Sequence, residues 1–268
     1  MLETRGMKWA LSIPLLDSQV LSTINKKMTE AFGGEFSQVI IGGAPMNPEA
    51  EAFFKKIGFK FTVGYGMTEC APLISYTYWA DYKHNSVGKV LDWMEVKIES
   101  NDPQNEVGEI LVRGENVMMG YYKNAEATKS VLDEDGWLHT GDMGTVDFDG
   151  TIYIRGRNKN MLLGPSGQNI YPEEIEAKLN NMPFVLECLV IQMADNRLMA
   201  LVVPDYAAVD AAKMSHDEID AVMEENRKAL NAITASYESI AMIKIHPNEF
   251  EKTPKKSIKR FLYTNFGK

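Results

Sequence analysis

Gly64-Tyr-Gly-Met-Thr-Glu69 sets a hydroxyl, Thr68, and a carboxylate, Glu69, directly after two glycines. Glycine has no Cβ, so the backbone here can approach a ligand closely. Thr68 can hydrogen-bond a phosphate or a bound water. Glu69 can hold a magnesium ion, because hard cations prefer carboxylate oxygen and often bridge to substrate phosphates. The same six residues also read as a glycine turn with an exposed acid. A second cluster, Trp137-Leu-His-Thr140-Gly141-Asp142, ends in a carboxylate that taken alone is a turn residue. In a third, from Gly156 to Glu176, Arg157 and Lys159 stand near Gly164 and Gly167, a composition that clamps an anion or forms a solvated turn with a basic edge. The run Lys252 to Arg260 adds Lys255, Lys256 and Lys259, each of which alone fits a solvated tail.

Elements that could position these groups follow from local pattern. Val20 to Phe32 suit a helix by composition, and Gly33-Gly34 end it. Gln38 to Ile41 is a short apolar, β-branched run of the kind found in a fully buried strand, and it feeds Gly42-Gly43-Ala44-Pro45. Asn47-Pro48-Glu49 supplies an N-cap, a proline at the first helical position and an acid in the first turn. That helix presents Ala52, Phe53 and Ile57 on one face, and Gly58 closes it. Phe59 to Val63 is a second strand, and it too ends in a glycine loop. Strand, loop, helix, strand, loop is an α/β pattern, and open α/β sheets bind ligands at the carboxyl ends of their strands. Two loops are therefore expected on the functional edge.

From Trp79 to Tyr153 the pattern changes to short alternating strands such as 94–98 and 109–113, separated by turn dipeptides at Asp135-Gly136 and Asp149-Gly150. A small antiparallel sheet or barrel is expected. After a boundary near Gly156, Tyr171-Pro172 opens a helix, followed by strands at 185–194 and 198–203, an amphipathic helix from His216 to about Ser236, and a strand at 240–245. The expected fold is an α/β sheet portion (1–78) plus a small β-rich portion (79–156), followed by a separate α+β carboxy-terminal domain (157–268).

Length and composition agree with two domains. The chain has 268 residues, 45% hydrophobic and 24% charged, against a prior of roughly 150 residues per domain. A net charge of -9 argues against sequence-independent nucleic-acid binding, which needs a basic surface. Two cysteines, Cys70 and Cys188, are too few for a disulfide framework and fit a reducing cytoplasm. The stretch from Met1 to Leu16 is interrupted by Lys8, Ser12 and Pro14, and no apolar run approaches the roughly 20 residues that span a bilayer. A soluble protein without an export signal is expected. The four histidines lack metal-ligand spacing. Cys70 has no paired base and reads as a small hydrophobe. Glu173, Glu174 and Glu176 read as acids favouring a helix N-terminus, and Met118-Met119 as core filling or, alternatively, as an apolar acyl path.

Taken together and in order, from about Val39 to Arg260, the clusters resemble the adenylate-forming superfamily of acyl-CoA synthetases, luciferases and peptide-synthetase adenylation domains. The run Asn160-Met-Leu-Leu-Gly-Pro-Ser-Gly-Gln-Asn-Ile-Tyr-Pro-Glu-Glu-Ile-Glu176 is most similar to bacterial long-chain fatty acid CoA ligases. The resemblance implies ATP, magnesium and coenzyme A acting on a fatty acid or other carboxylic acid. It also implies that Gly43, Ala44 and Pro45 flank the adenine and acyl pocket, and that Tyr65, Gly66, Met67, Thr68 and Glu69 contact adenylate and magnesium. Asp142 would take the ribose hydroxyls with Arg157 beside it, Lys159 would mark a hinge, and Gly164 to Gly167 would lie along the pantetheine of coenzyme A.

Two departures stand out. The family's phosphate loop has no counterpart in residues 1–38, and its members are about twice as long. The resemblance thus implies a carboxy-terminal half that does not complete catalysis alone and that self-associates through apolar surface left open by the missing half. The family pattern also puts Ser257 where the adenylation lysine usually stands. If the segment is extended, Lys255 and Lys259 share the face of Ser257 and Lys256 points away; Lys259 is favoured, with Lys256 as its rival. Other readings are a different adenylate-former, such as an aryl, short-chain or fatty acyl-AMP ligase, and a non-catalytic nucleotide-binding module.

Overall fold

The computed structural model describes residues 14–264; most of the amino-terminal stretch read above for an export signal lies outside them. The chain divides into two compact units. One comprises residues up to Asn105 with Leu111–His139 and Thr145–Tyr153; the other comprises Glu106–Ile110, Thr140–Gly144 and the residues from Ile154 onward.

In the first unit, helix α1 (Pro14–Ala31) ends before Gly33 and Gly34, both at positive φ. Strand β1 (Val39–Ile41) pairs in parallel with β2 (Phe61–Val63), and α2 (Pro48–Ile57) connects them. The local signals of α2 act as their chemistry demands. The Asn47 side chain accepts from the N–H groups of Glu49 and Ala50, and Gly58 closes the helix in the left-handed conformation at φ 71°. β2 is buried throughout, but Ile40 in β1 is 57% exposed. The expectation of a fully buried strand at 38–41 is therefore corrected. The apolar run identifies a strand, but not how many neighbours cover it, and β1 pairs only with β2 among the described residues. An aromatic row, Phe59–Phe54–Phe61–Tyr82, one pair tilted and two edge-on, with ring centroids 5.3 to 5.4 Å apart, fills the space between α2 and β2. The three-stranded antiparallel sheet β3 (Tyr65–Gly66), β4 (Leu73–Tyr76) and β5 (Lys89–Val90) follows.

Strands β6 (Met94–Ile98), β7 (Gly108–Gly114), β8 (Leu138–Val146) and β9 (Ile152–Arg157) form a four-stranded sheet in that order, with the short helix α3 (Ala125–Lys129) between β7 and β8. The expected β-rich portion is present as separate sheets rather than a closed barrel.

In the second unit a hairpin, β10 (Leu162–Leu163) and β11 (Asn169–Ile170), precedes α4 (Pro172–Leu179). A three-stranded sheet then runs β12 (Val185–Gln192), β13 (Leu198–Pro204), β14 (Ile240–Ile245). The β12/β13 pair is antiparallel and the β13/β14 pair parallel. Side chains alternate along it with period two. Leu198, Ala200 and Val202 face one core with Ile175, Leu179, Met223 and Leu230 of α4 and α6 (His216–Ile233); Met199, Leu201 and Val203 face another with Phe250 and Tyr263. Cover on both faces explains why β13 is apolar at every position. α6 opens with a Ser215–Glu218 capping box. Helix α5 (Tyr206–Ala212), not anticipated from sequence, is a seven-residue element capped by Asp205.

Candidate active site

The first unit brings the two glycine loops together. Because β1 and β2 are parallel and in register, their carboxyl ends emerge side by side: the Gly64 N–H donates to the Ile41 carbonyl at 2.9 Å, and a Cβ on Gly42 would stand 3.2 Å from the Gly64 oxygen. Gly43, at φ 87°, has open space where a side chain would project, and Ala44 and Pro45 continue that loop. Tyr65 is buried, whereas Gly66 packs directly against the Pro72 backbone, leaving no room for a Cβ. Met67 donates to the Pro72 carbonyl at 2.8 Å and leads into a single 3-10 turn, Thr68–Cys70.

This turn sorts three neighbouring side chains by burial. Thr68 is exposed, Glu69 half-buried and Cys70 fully buried. Burial, reinforced by the Glu69 charge, pushes the Cys70 thiol up to about 11, so it is a protonated packing group and not a nucleophile. A distant segment holds the turn from outside. The Asn116 side-chain amide donates to the carbonyls of Cys70 (2.6 Å) and Leu73 (3.0 Å), and the Met118 N–H donates to the Glu69 carbonyl (2.7 Å). The Tyr121 hydroxyl donates to Glu69 Oε1 at 3.0 Å. Partial burial and the Glu69 carboxylate hold the Tyr121 phenol above its ordinary value, which keeps it a donor. Asn116 and Tyr121 were not marked by sequence, and Met118 was marked only as core filling or an acyl path, although the glycine before Tyr121 was a local hint of constrained backbone. Met119 is fully exposed, so core filling does not account for it.

Thr68 and Glu69 offer only hard oxygen donors, and Glu69 Oε2 accepts no hydrogen bond among the described residues. That donor set fits magnesium.

In the second unit, Gly141 turns β8 through the left-handed region at φ 71°. Its N–H donates to Glu109 Oε1 at 2.9 Å, and the Thr140 hydroxyl donates to the Ile110 carbonyl at 2.7 Å. Asp142 follows, buried, and Arg157 Nε meets its Oδ1 at 2.9 Å while the guanidinium remains half-exposed. A buried carboxylate beside a partly exposed guanidinium is suited to receive hydroxyls and an anionic group together. Lys159 lies exposed in the 3-10 turn Asn158–Asn160. That turn is anchored: Asn160 donates to Glu173 Oε1 at 2.6 Å, and a Cβ on Gly156 would lie 2.8 Å from Glu173 Oε2. Gly164 and Gly167 close the β10/β11 hairpin, where Gly167 takes φ 84° and a Cβ on Gly164 would stand 3.3 Å from Gln168 and Ile170. Turn geometry therefore accounts for glycine at 167, whereas at Gly164 a side chain would meet only close contacts.

The acids of α4 divide. Glu174 meets Arg155 at 3.2 Å near the helix start, as expected of a first-turn acid. Glu176 does something else. Buried, it meets Arg260 at 2.8 Å and accepts the Val190 N–H at 2.6 Å, while Arg260 also donates to the Val190 carbonyl at 3.0 Å. Burial drives the Glu176 carboxyl up to about 7 against the opposing pull of Arg260. Reading Glu176 as a helix-terminus acid is thus corrected: it clamps the last segment of the chain to β12.

That last segment is not extended. Thr253 N–H donates to the Ser257 carbonyl and Lys256 N–H to the Thr253 carbonyl, each at 2.8 Å, with a bridge between Lys252 and Ile258. Lys256 sits in the left-handed region at φ 61°. Strand alternation therefore does not decide which lysine shares the face of Ser257. Lys259 is paired with Glu251 at 3.2 Å, whereas Lys255 and Lys256 are exposed at the turn.

The fold, an α/β portion with β-rich sheets and a further α+β unit, is that of part of an adenylate-forming enzyme. Solved structures agree: o-succinylbenzoate CoA synthetase from Bacillus subtilis, in complex with its acyl-adenylate intermediate, superposes with a TM-score of 0.70 at 26% identity, over 91% of this chain and 52% of that one. The AMP-binding enzyme profile matches residues 7–122, and the AMP-binding enzyme C-terminal domain profile matches residues 160–266. The chain belongs to the AMP-binding, adenylate-forming enzyme family. Among curated relatives, a long-chain-fatty-acid–CoA ligase of Mycobacterium bovis is 30% identical over 88% of this chain and 42% of its own length. A feruloyl-CoA synthase of Amycolatopsis is 38% identical over 68% of this chain and 38% of its own. The chain spans less than half the length of these relatives.

Proposed function

We propose that this chain forms part of an ATP-dependent, AMP-forming acid–CoA ligase acting on a fatty acid in the cytoplasm. The observation that carries the reading is the pair of glycine loops at the adjacent carboxyl ends of β1 and β2, with Thr68 and Glu69 projecting from the second. In this reading Gly43, Ala44, Pro45, Tyr65, Gly66 and Met67 border the adenylate, and Asp142 takes the ribose hydroxyls beside Arg157. Residues 1–156 serve as the adenylating body and 157–268 as a domain that turns about Lys159. Gly164 and Gly167 border the coenzyme A thiol arm.

A carboxylate is a poor acyl donor because its leaving group would be oxide. Exchange of pyrophosphate for the acid on the α-phosphate gives an acyl-adenylate, and the thiol of coenzyme A then displaces AMP. Glu69, with Thr68 nearby, would hold magnesium, which when bound would supply charge neutralisation at the phosphates. A lysine of the 252–260 turn answers the charge that builds as the acid approaches, and this role is assigned to Lys259 with Lys256 as its rival. No helix among the described residues is long and apolar enough to cross a membrane, and both cysteines are free and buried, as a reducing compartment allows. Exposed Ile40 and Phe32 support self-association of the isolated chain.

A second reading, ligation of an aromatic acid, is favoured by the higher identity of the feruloyl-CoA synthase. A panel of aliphatic acids of graded length and aromatic acids, read as CoA-dependent AMP release by the enzyme carrying this chain, separates the two. Preference for long aliphatic acids is expected; preference for aromatic acids transfers the assignment, and no acid-dependent AMP release refutes both.

A further inference from the structure

Segment 116–121 takes hold of the Thr68–Cys70 turn at three points, two backbone carbonyls and one side chain, and of the Leu73 carbonyl just beyond it. The backbone bonds suffice to fix the path of the turn, and the strained backbone on its far side, with Ala71 at φ 54°, makes such support necessary. The bond to the side chain is different in kind. Tyr121 is 38% exposed and Glu69 half-buried, so a phenol–carboxylate bond between them adds little to folding. Its effect falls on the direction of one carboxylate.

Tyr121 is itself held. Its N–H donates to Thr128 Oγ1 at 2.9 Å, and that hydroxyl donates onward to the Asn124 carbonyl at 2.9 Å. Gly120 has no side chain at a place where a Cβ would stand 2.8 Å from the Thr128 methyl, so the chain passes Thr128 at close range before delivering Tyr121. Thr128, Tyr121 and Glu69 thus form a relay from α3 to the carboxylate. We infer that Tyr121 is a positioning residue for Glu69: by occupying Oε1 with a neutral donor, it leaves the charge of the carboxylate directed through Oε2 towards a divalent cation bound with nucleotide. This inference rests on the reading of Glu69 as the cation ligand.

The test measures binding of manganese, as a spectroscopic surrogate for magnesium, to this chain in the presence of saturating AMP, by electron paramagnetic resonance. Thermal unfolding is followed in parallel. Tyr121→Phe removes only the hydroxyl, and it is expected to weaken manganese binding roughly fivefold, the equivalent of one hydrogen bond, without moving the unfolding midpoint. Thr128→Val is expected to weaken it less, and Thr128→Ser, which keeps the hydroxyl, to retain it. Glu69→Gln is expected to abolish it. If Glu69→Gln abolishes binding while Tyr121→Phe leaves it unchanged, the positioning role is wrong and the ligand assignment stands. If the native chain binds no manganese, or Glu69→Gln binds it as well as the native chain, the ligand assignment falls and takes the positioning role with it.

Discussion

Glu69 and Glu176 are the same side chain put to opposite uses. Glu69 projects from a single 3-10 turn, half-buried, with one oxygen held by a neutral phenol and the other accepting nothing among the described residues. Glu176 lies in the second turn of α4, buried, with a guanidinium and a backbone N–H on its oxygens. A carboxylate with a neutral partner and a path to water keeps its charge available for a ligand. A carboxylate enclosed with its own cation has no charge left to offer, and it serves to join pieces of chain far apart in sequence. Burial and the charge of the partner, more than residue type, separate the two roles.

The comparison breaks most visibly at Arg260. Arg260→Ala strands Glu176 in an apolar surround and is expected to lower stability by about 3–5 kcal/mol at pH 8, measured by denaturant unfolding of the chain. A loss within experimental error would show that water reaches Glu176 and that the contrast with Glu69 is superficial.

The acid dependence sharpens the same point. The folded-state value of Glu176, about 7, lies above the ordinary 4.5, so the folded chain binds this proton more readily than the unfolded chain does. Its contribution to stability is therefore full below about pH 4.5 and is lost as pH rises through about 7. Glu176→Gln is expected to remove this component from the pH profile of unfolding free energy. An unchanged profile in the variant would assign the slope to other groups.

The smallest effect belongs to the other side of the comparison. Glu69→Gln and Tyr121→Phe are each expected to change the unfolding free energy by less than about 0.5 kcal/mol, because an exposed bond is replaced by water at little loss. A large loss in either would make the Tyr121–Glu69 bond a structural fastening like that of Glu176.

What the sequence made legible were features whose causes are local. Asn47-Pro48 and Gly58 bound α2 because capping acts within one turn, and the β-branched run at 39–41 marked a strand before a glycine loop. The alternation of β12 and β13 was visible as apolar length, though not as two faces. Contacts that join distant segments left no local trace. Glu176 and Arg260 are 84 residues apart and Tyr121 and Glu69 are 52 apart, so neither pairing has a spacing to read. Asp142 and Arg157 stood out in separate clusters, but their pairing entered through family resemblance, because their ion pair depends on β8 and β9 being neighbours in one sheet. The turn at 253–257 was not legible because a lysine-rich run without glycine gives no warning of a left-handed residue.

That left-handed residue, Lys256, carries a consequence for anyone redesigning the chain. An amino acid with a side chain sits about 1 kcal/mol less comfortably in that backbone slot than glycine does. Installing glycine there would relieve that strain and at the same stroke erase a solvent-facing cation, so a search for thermal robustness at this position would select against the charge.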